Sequence, residues 1–312
     1  MLTIYQTQDA GILQETNEIT SGCWVHMIAP NQEEINLVTS KLQIPLDDIK
    51  DSLDEEERSR IEKDENHVLI IIDMPIVLQD ESKPQIYDTI PLGIIITNEC
   101  FVTVCLKENP IFIHFLKNKV KRFSTSKKTR FALQILYLIA TYYLKYLKQI
   151  NKMTNDIENE LHQSMKNKEL FSLLNLEKSL VYFTTSLKSN NIVLQKMLKG
   201  NYLAMFNEDQ ELLEDVIVEN QQAISMAETY STILSGMMDA FASVISNNLT
   251  IVMKFLTSIT IILSLPTMVA SFYGMNVPIP FQEYPHAFFV AIIISACLSS
   301  ITALIFWKRK YF

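Results

Sequence analysis

The chain has 312 residues, 48% of them hydrophobic and 20% charged, with a net charge of −8 and a mean hydropathy of +0.12. Its 6 Gly, 10 Pro and 4 Cys exclude a collagen-like chain, low-complexity disorder and a small disulfide scaffold. The balance of 27 Lys+Arg against 35 Asp+Glu lacks the basic footprint of a nucleic-acid binder, so no nucleic acid is expected as a partner, while a cation is permitted.

Residues 1–125 read as a mixed α/β domain. Short β-rich runs occur at Cys23–Ile28, Val68–Pro75, Ile86–Thr97 and Phe101–Leu106, and Asn98-Glu99 between the last two suggests a tight hairpin connection. Helical candidates lie at Asn31–Leu42, Pro45–Leu53 and Pro110–Lys121. The charge-dense run Asp51–Glu65 reads as a solvated surface.

From about Ser126 the β signals stop, and residues 126–248 read as a helical stalk region. Arg130–Lys166 and Lys168–Leu198 show helical periodicity, and Gly200-Asn201 makes a break. A third helical pattern begins near Asn207 and runs without Gly or Pro to Gly236, then on into an apolar segment. One helix of about 65 residues, roughly 100 Å at 1.5 Å per residue, is the simplest reading. So long a stripe is not expected to be covered by its own subunit alone, which suggests a stalk packed against copies of itself.

The apolar excess lies in the last quarter. No charge falls between Phe255 and Phe272 or between Ala287 and Trp307. Each run is long enough to cross a bilayer core, which takes about 20 residues. Two buried core helices of a soluble domain are the alternative, but such helices rarely run so long without a charge. The expected layout is a first, pore-lining membrane helix at 249–272, an outer loop at 273–286, a second membrane helix at 287–307 and a basic tail at 308–312. Lys254 and Lys308-Arg309-Lys310 flank the pair, and the connector has only Glu283, so the positive-inside tendency places both termini in the cytoplasm. The start of the chain lacks a secretory signal pattern, which keeps 1–248 cytoplasmic in this reading. Tyr273, Tyr284 and Trp307 stand where interfacial aromatics are expected. The four cations against Glu283 leave 249–312 at +3, so the first 248 residues hold −11 of the net −8.

Counting by threes and fours along the first membrane helix gives one face: Ser271, Thr267, Ser264, Thr260, Leu256, Met253, Leu249, Ser246, Ala242 and Asp239. Any single hydroxyl in a membrane helix often just bonds to a backbone carbonyl. Four on one face, above an apolar stretch and an acid, would make a water-lined vestibule above a hydrophobic constriction if copies of the helix surrounded an axis. Narrow apolar constrictions gate by dewetting. Pro266 beside the stripe frees a carbonyl that neighbours or water must meet.

Directly after this helix comes Tyr273-Gly274-Met275-Asn276. A Gly-Met-Asn triplet that ends a first membrane helix, before a short loop, a second helix and a basic end, resembles the CorA family of magnesium transporters. The resemblance implies a homopentameric funnel in the plasma (inner) membrane, importing Mg²⁺, with Co²⁺ and Ni²⁺ as further cargo, and gated by intracellular Mg²⁺. It needs no other cofactor. Gly274, Met275 and Asn276 would match the outer selectivity filter. Ser271, Thr267, Ser264, Thr260 and Leu249 would line the pore, and Leu256 and Met253 would form the hydrophobic gate. Asp239 would match an acidic ring, and Asp215 a regulatory metal site between subunits. Asp51, after the Pro45-Leu46 pair, would be the partner of Asp215. By residue type alone, Asp215 and Asp51 read as solvated surface acids.

The chain departs from the family pattern in its loop, which reads Val277-Pro278-Ile279-Pro280-Phe281-Gln282 in place of an acidic motif and leaves Glu283 as its one carboxylate. Ser264 and Ser271 replace apolar residues common in relatives. A zinc-transporting branch commonly has Val at the position of Met275, so the triplet favours magnesium. A zinc transporter, and a membrane-anchored acidic sensor without transport, are the competing readings. The four cysteines lack zinc-ligand spacing, and His26, His67, His114, His162 and His286 are scattered. No P-loop and no nucleophile–base pair marks an enzyme. Flux would follow the electrochemical gradient, at about 2.3 kcal/mol per charge per 100 mV.

Overall fold

The computed structural model describes residues 1–8, 12–78, 85–163, 167–280 and 285–311, with the backbone alone at 162, 163 and 167. Glu283 and Tyr284, with Phe281 and Gln282, lie outside the described residues. Two compact units emerge, Met1–Ser235 and Gly236–Phe312.

The first unit is built on a seven-stranded sheet. Its strands are β1 (Leu2–Thr7), β2 (Leu13–Thr16), β3 (Trp24–Ile28), β4 (Arg60–Lys63), β5 (His67–Leu78), β6 (Ile86–Thr97) and β7 (Phe101–Cys105). The spatial order is β2-β1-β3-β7-β6-β5-β4. Every pairing is antiparallel except β3 with β7, where Trp24 stands beside Phe101 and Ile28 beside Cys105. A parallel pair requires a crossover, and the intervening helices and strands supply it.

Side-chain alternation divides β3 between two layers. Cys23, Val25 and Met27 join a core with Ile35 and Val38 of α1 (Gln32–Leu42) and Ile49 of α2 (Leu46–Asp51). Trp24 and His26 point the other way. There Trp24 meets Phe115 of α3 (Pro110–Leu116) and Phe131 of α4 (Lys128–Gln163), with ring centroids 6.4 and 5.1 Å apart. α1 opens with a capping box in which the Asn31 side chain accepts from the Glu34 N–H and Glu34 reaches back. α2 is set by a close approach: a Cβ on Gly93 of β6 would lie 1.9 Å from the Ser52 hydroxyl, so only glycine lets α2 sit there.

α3 is shorter than its sequence pattern suggests. Asn118 takes a left-handed φ of 50°, its N–H bonds the Phe115 carbonyl, and the Lys119 N–H bonds the His114 carbonyl. This Schellman closure ends the helix at Leu116 rather than Lys121.

α5 (Asn167–Lys199) lies over β4–β6 and is clamped by one side chain. The Asn190 amide donates to the Asp73 carbonyl at 2.8 Å, and its oxygen accepts from the Asp73 N–H at 2.9 Å. α6 (Asn207–Tyr273) then runs back along α5: Asn220 donates to the Leu187 carbonyl at 3.1 Å, and Ser235 to Glu177 at 2.8 Å. Leu213, Val216, Ala223, Ala227 and Leu234 of α6 are buried. Residues 207–235 therefore find part of their cover within their own subunit. Val218 and Ile233 remain half or more exposed.

In the second unit, the end of α6 packs on α7 (Ala287–Lys308). Ser258 and Val269 are buried, whereas no residue of α7 is. Both helices are long and apolar enough to cross a membrane.

Candidate ion-conduction face and acidic sites

Pro266 lies inside α6 and lacks the N–H that the Ile262 carbonyl would otherwise accept. Ser299 of α7 supplies the missing donor, its hydroxyl 3.4 Å from that carbonyl oxygen. Near the other end of the hairpin, the Lys254 ammonium stands 6.0 Å from the Tyr311 ring centroid. These contacts, with buried Ser258 and Val269, fix which side of α6 faces α7.

The ten-residue stripe lies on the remaining side. Ser271, Thr267, Ser264, Thr260, Leu256, Met253, Leu249, Ser246, Ala242 and Asp239 are all exposed in the isolated chain. Leu249, Met253 and Leu256 retain 64%, 54% and 57% of their surface and form a contiguous apolar strip of the kind that marks an interaction surface. Above them, Ser264, Thr267 and Ser271 line an open recess of about 430 Å³ with Met268 and Phe272.

Three of the hydroxyl protons on this face are already committed. Thr260 donates to the Leu256 carbonyl at 2.9 Å, Ser264 to the Ile261 carbonyl at 2.8 Å, and Thr267 to the Leu263 carbonyl at 3.3 Å. Each bond leaves oxygen lone pairs available outward. The stretch is therefore an acceptor surface, and the local bonding expected of any one hydroxyl is what orients the set.

α6 ends at the triplet. The Gly274 N–H bonds the Ala270 carbonyl at 3.0 Å, and the Met275 N–H the Phe272 carbonyl at 3.1 Å. Gly274, Met275 and Asn276 are exposed. A Cβ at Gly274 would lie 3.4 Å from the Ala270 carbonyl oxygen, an ordinary contact, so nothing among the described residues demands glycine there. The Tyr273 hydroxyl bonds the Pro280 carbonyl at 3.4 Å and ties the loop back to the helix end.

Asp215 and Asp239 are exposed on α6, and no group of three or more His, Cys, Asp or Glu able to hold a metal occurs among the described residues. Asp51, at the end of α2, is held by Arg60 at 2.6 Å. The same guanidinium contacts Glu57 and, at 2.9 Å, Glu62. The run read as a plain solvated surface thus folds around one cation and contains strand β4. Nearby, His67 and Asp48 lie 2.6 Å apart, and burial raises the Asp48 carboxyl above its usual range despite that contact.

Sequence reading missed Arg60 and Ser299. The Pro266 break announced an orphan carbonyl, but not which residue would meet it. Arg60 gave no signal beyond its place in a charge run.

A stalk helix continuous with an apolar hairpin, ending in Gly-Met-Asn and carrying an unpartnered hydroxyl-to-apolar face, defines a membrane transport protein. The chain matches the family described as CorA-like Mg2+ transporter protein over residues 20–310, and it belongs to that family. It is 30% identical over 294 residues to the cobalt/magnesium transport protein CorA of Methanocaldococcus jannaschii, covering 92% of this chain and 90% of that protein. The solved structure of the complete CorA magnesium transporter of that organism superposes with a TM-score of 0.86, at 26% identity, over 100% of this chain and 99% of that one. The cobalt/magnesium transport protein CorA of Thermotoga maritima is 22% identical over 271 residues, 84% of this chain and 75% of that protein. The chain is thus a divalent cation transporter of the CorA family and not an enzyme.

Proposed function

We propose that the chain is a channel-like importer of Mg²⁺, with Co²⁺ and Ni²⁺ as further cargo, that works as a homopentamer in the plasma membrane with both termini cytoplasmic. Five α6 helices surround the axis and turn the Ser271-to-Asp239 stripe inward. Support comes from the names of the two relatives, which pair cobalt with magnesium, and above all from the face itself. The hydroxyl protons of Thr260, Ser264 and Thr267 bond its own backbone, and it is turned away from α7.

The chemistry suits a hydrated ion. Mg²⁺ gives up its water reluctantly. The hydrogens of its bound waters point outward, so the pore needs acceptors rather than charges. Asn276 carboxamide oxygens ring the entrance with Gly274 and Met275, and the oxygens of Ser271, Thr267, Ser264 and Thr260 continue the acceptor path. Leu256 and Met253 then narrow the pore to an apolar gate, with Leu249 beyond. Asp239 draws the ion to the inner end.

Closure follows from intracellular Mg²⁺ held between subunits by Asp215 and Asp51. Without it, repulsion among cytoplasmic portions of −11 each spreads the stalks and widens the gate. The test is Mg²⁺ uptake by purified protein in liposomes. Asn276→Ala should abolish uptake while leaving pentamer assembly intact, and uptake equal to the parent protein would refute the filter.

A further inference from the structure

The parallel pair of the sheet brings two cysteines together. Cys23 directly precedes β3 and Cys100 directly precedes β7, so the register of Trp24 beside Phe101 continues back by one residue. Main-chain bonds secure that extension: the Phe101 N–H donates to the Cys23 carbonyl at 3.0 Å, and the Gly22 N–H to the Glu99 carbonyl at 2.7 Å. The two sulfurs are 3.2 Å apart, and the Cys100 sulfur lies 3.3 Å from the Thr20 carbonyl oxygen. Both thiols are fully buried, yet each follows residues that reach the surface, Ser21 before one and Asn98-Glu99 before the other. A water-sized reagent needs only a local opening of the turn to reach them.

We propose that Cys23 and Cys100 form a reversible intrachain disulfide on exposure to hydrogen peroxide, which makes this turn a redox modification site. Neighbouring strands run about 4.8 Å apart, inside the roughly 4.4–6.8 Å that disulfide Cα atoms span. Side-chain rotation alone therefore closes the sulfurs to about 2.05 Å.

The roles of the two thiols differ. The hydrogen bond between them lowers Cys23 below an ordinary thiol, and the same bond together with burial raises Cys100. Lys41 adds to the lowering at Cys23, while Glu99 and Lys128 act on Cys100 in opposite senses. Cys23 is therefore the attacking thiolate. Its sulfur takes one peroxide oxygen as the O–O bond breaks, and the departing hydroxide leaves as water with the proton Cys23 gave up. Cys100 then attacks the resulting sulfenic sulfur. The S–O bond breaks, and that oxygen leaves as a second water with its own proton and the one from Cys100. Two electrons pass from the thiol pair to peroxide, and a dithiol reductant reverses the change.

The Lys128 ammonium holds the same turn through the Thr97 and Asn98 carbonyls at 2.7 and 2.6 Å. The disulfide would thus staple β3 to the turn that anchors the head of α4.

The experiment treats the folded, detergent-solubilised full chain with hydrogen peroxide, then denatures it, alkylates free thiols and maps peptides by mass spectrometry. The expected result is loss of two of the four thiols, a Cys23–Cys100 linked peptide and full recovery after dithiothreitol. Cys23→Ser should keep all three remaining thiols, Cys100→Ser should lose only the Cys23 thiol as an unlinked sulfenic acid that dithiothreitol restores, and Cys105→Ser should still form the link. Each variant's melting curve reports whether it is folded, and a variant that fails to fold is replaced by its Ala counterpart. Four alkylatable thiols after treatment, a link mapped to Cys105 or Cys297, or a sulfinic acid without a link would each overturn the proposal.

Discussion

The Ser299 hydroxyl meets the Ile262 carbonyl at 3.4 Å, and that carbonyl is the one Pro266 leaves without a helical donor. The bond compensates a break and fixes the rotation of α6 against α7 at one stroke. Ser299→Ala should lower the thermal stability of the solubilised protein by about 0.5–1 kcal/mol, the usual range for a polar contact between membrane helices. In a Pro266→Ala background residue 266 regains its N–H, and the same substitution should then cost almost nothing. A double-mutant cycle read by melting temperature checks this, and equal costs in both backgrounds would dismiss the pairing.

Arg60 occupies the Asp51 carboxylate that the regulatory reading assigns to Mg²⁺. An inhibitory ion must displace a partly exposed guanidinium, whose pairing is worth about 0.5–1 kcal/mol. Arg60→Gln should therefore make closure by internal Mg²⁺ about two- to fivefold more sensitive, since ~1.4 kcal/mol is tenfold. Uptake into liposomes loaded with graded Mg²⁺ measures the shift. No shift would free Asp51 from the regulatory role.

Leu256, more than half exposed in the single chain, belongs to the apolar stretch that would exclude water from a closed pore. Leu256→Ser should wet the constriction. We expect about tenfold more residual influx at inhibiting internal Mg²⁺, equivalent to roughly 1.4 kcal/mol off the barrier. Stopped-flow fluorescence of an entrapped Mg²⁺ dye reads the leak, and unchanged closure would move the gate elsewhere.

His26 is buried and neutral, its pKa lowered to about 3 by burial. The Trp24 indole N–H donates to the Thr103 oxygen at 2.8 Å, so the one Thr103 proton is free to go to His26 Nδ1 at 2.7 Å. The unfolded imidazole titrates near 6.5 and so takes up a proton first as pH falls. Stability is complete above about pH 6.5 and declines by up to about 1.4 kcal/mol per pH unit towards pH ~3. His26→Gln keeps an acceptor for Thr103 and should flatten the part of the melting-temperature profile between pH 6.5 and 4.5. A variant with the parent's slope would place the acid sensitivity elsewhere.

Much of this was legible in the sequence because strong periodicities coincide with strong packing. Ile86–Thr97 is apolar enough to read as a central strand, and it is β6. The 67-residue α6 followed from the lack of breakers after Asn207. β4 stayed hidden because Arg60, Glu62 and Lys63 show only charge, and Ile61 is its one buried residue. β2 is an edge strand and β1 pairs beside it, and short strands with polar residues such as Gln6, Thr7, Gln14 and Glu15 carry little pattern. The stripe on α6 could be read by spacing alone, since one helix fixes it. Arg60 on Asp51 and Ser299 on Ile262 join residues that chain order keeps 9 and 37 apart, and no local rule pairs them.

The inward bonding of Thr260, Ser264 and Thr267 has a last consequence, for charge sign. These oxygens favour a cation's water shell over an anion's without any ionised group, because their protons are tied to backbone carbonyls. Hydroxyls do not titrate near physiological pH, unlike carboxylates, and contact dipoles escape the salt screening that weakens exposed charges. A pore lined as proposed would keep its preference for cations in acid and in brine. A rim of Asp or Glu would lose its hold as it took up protons.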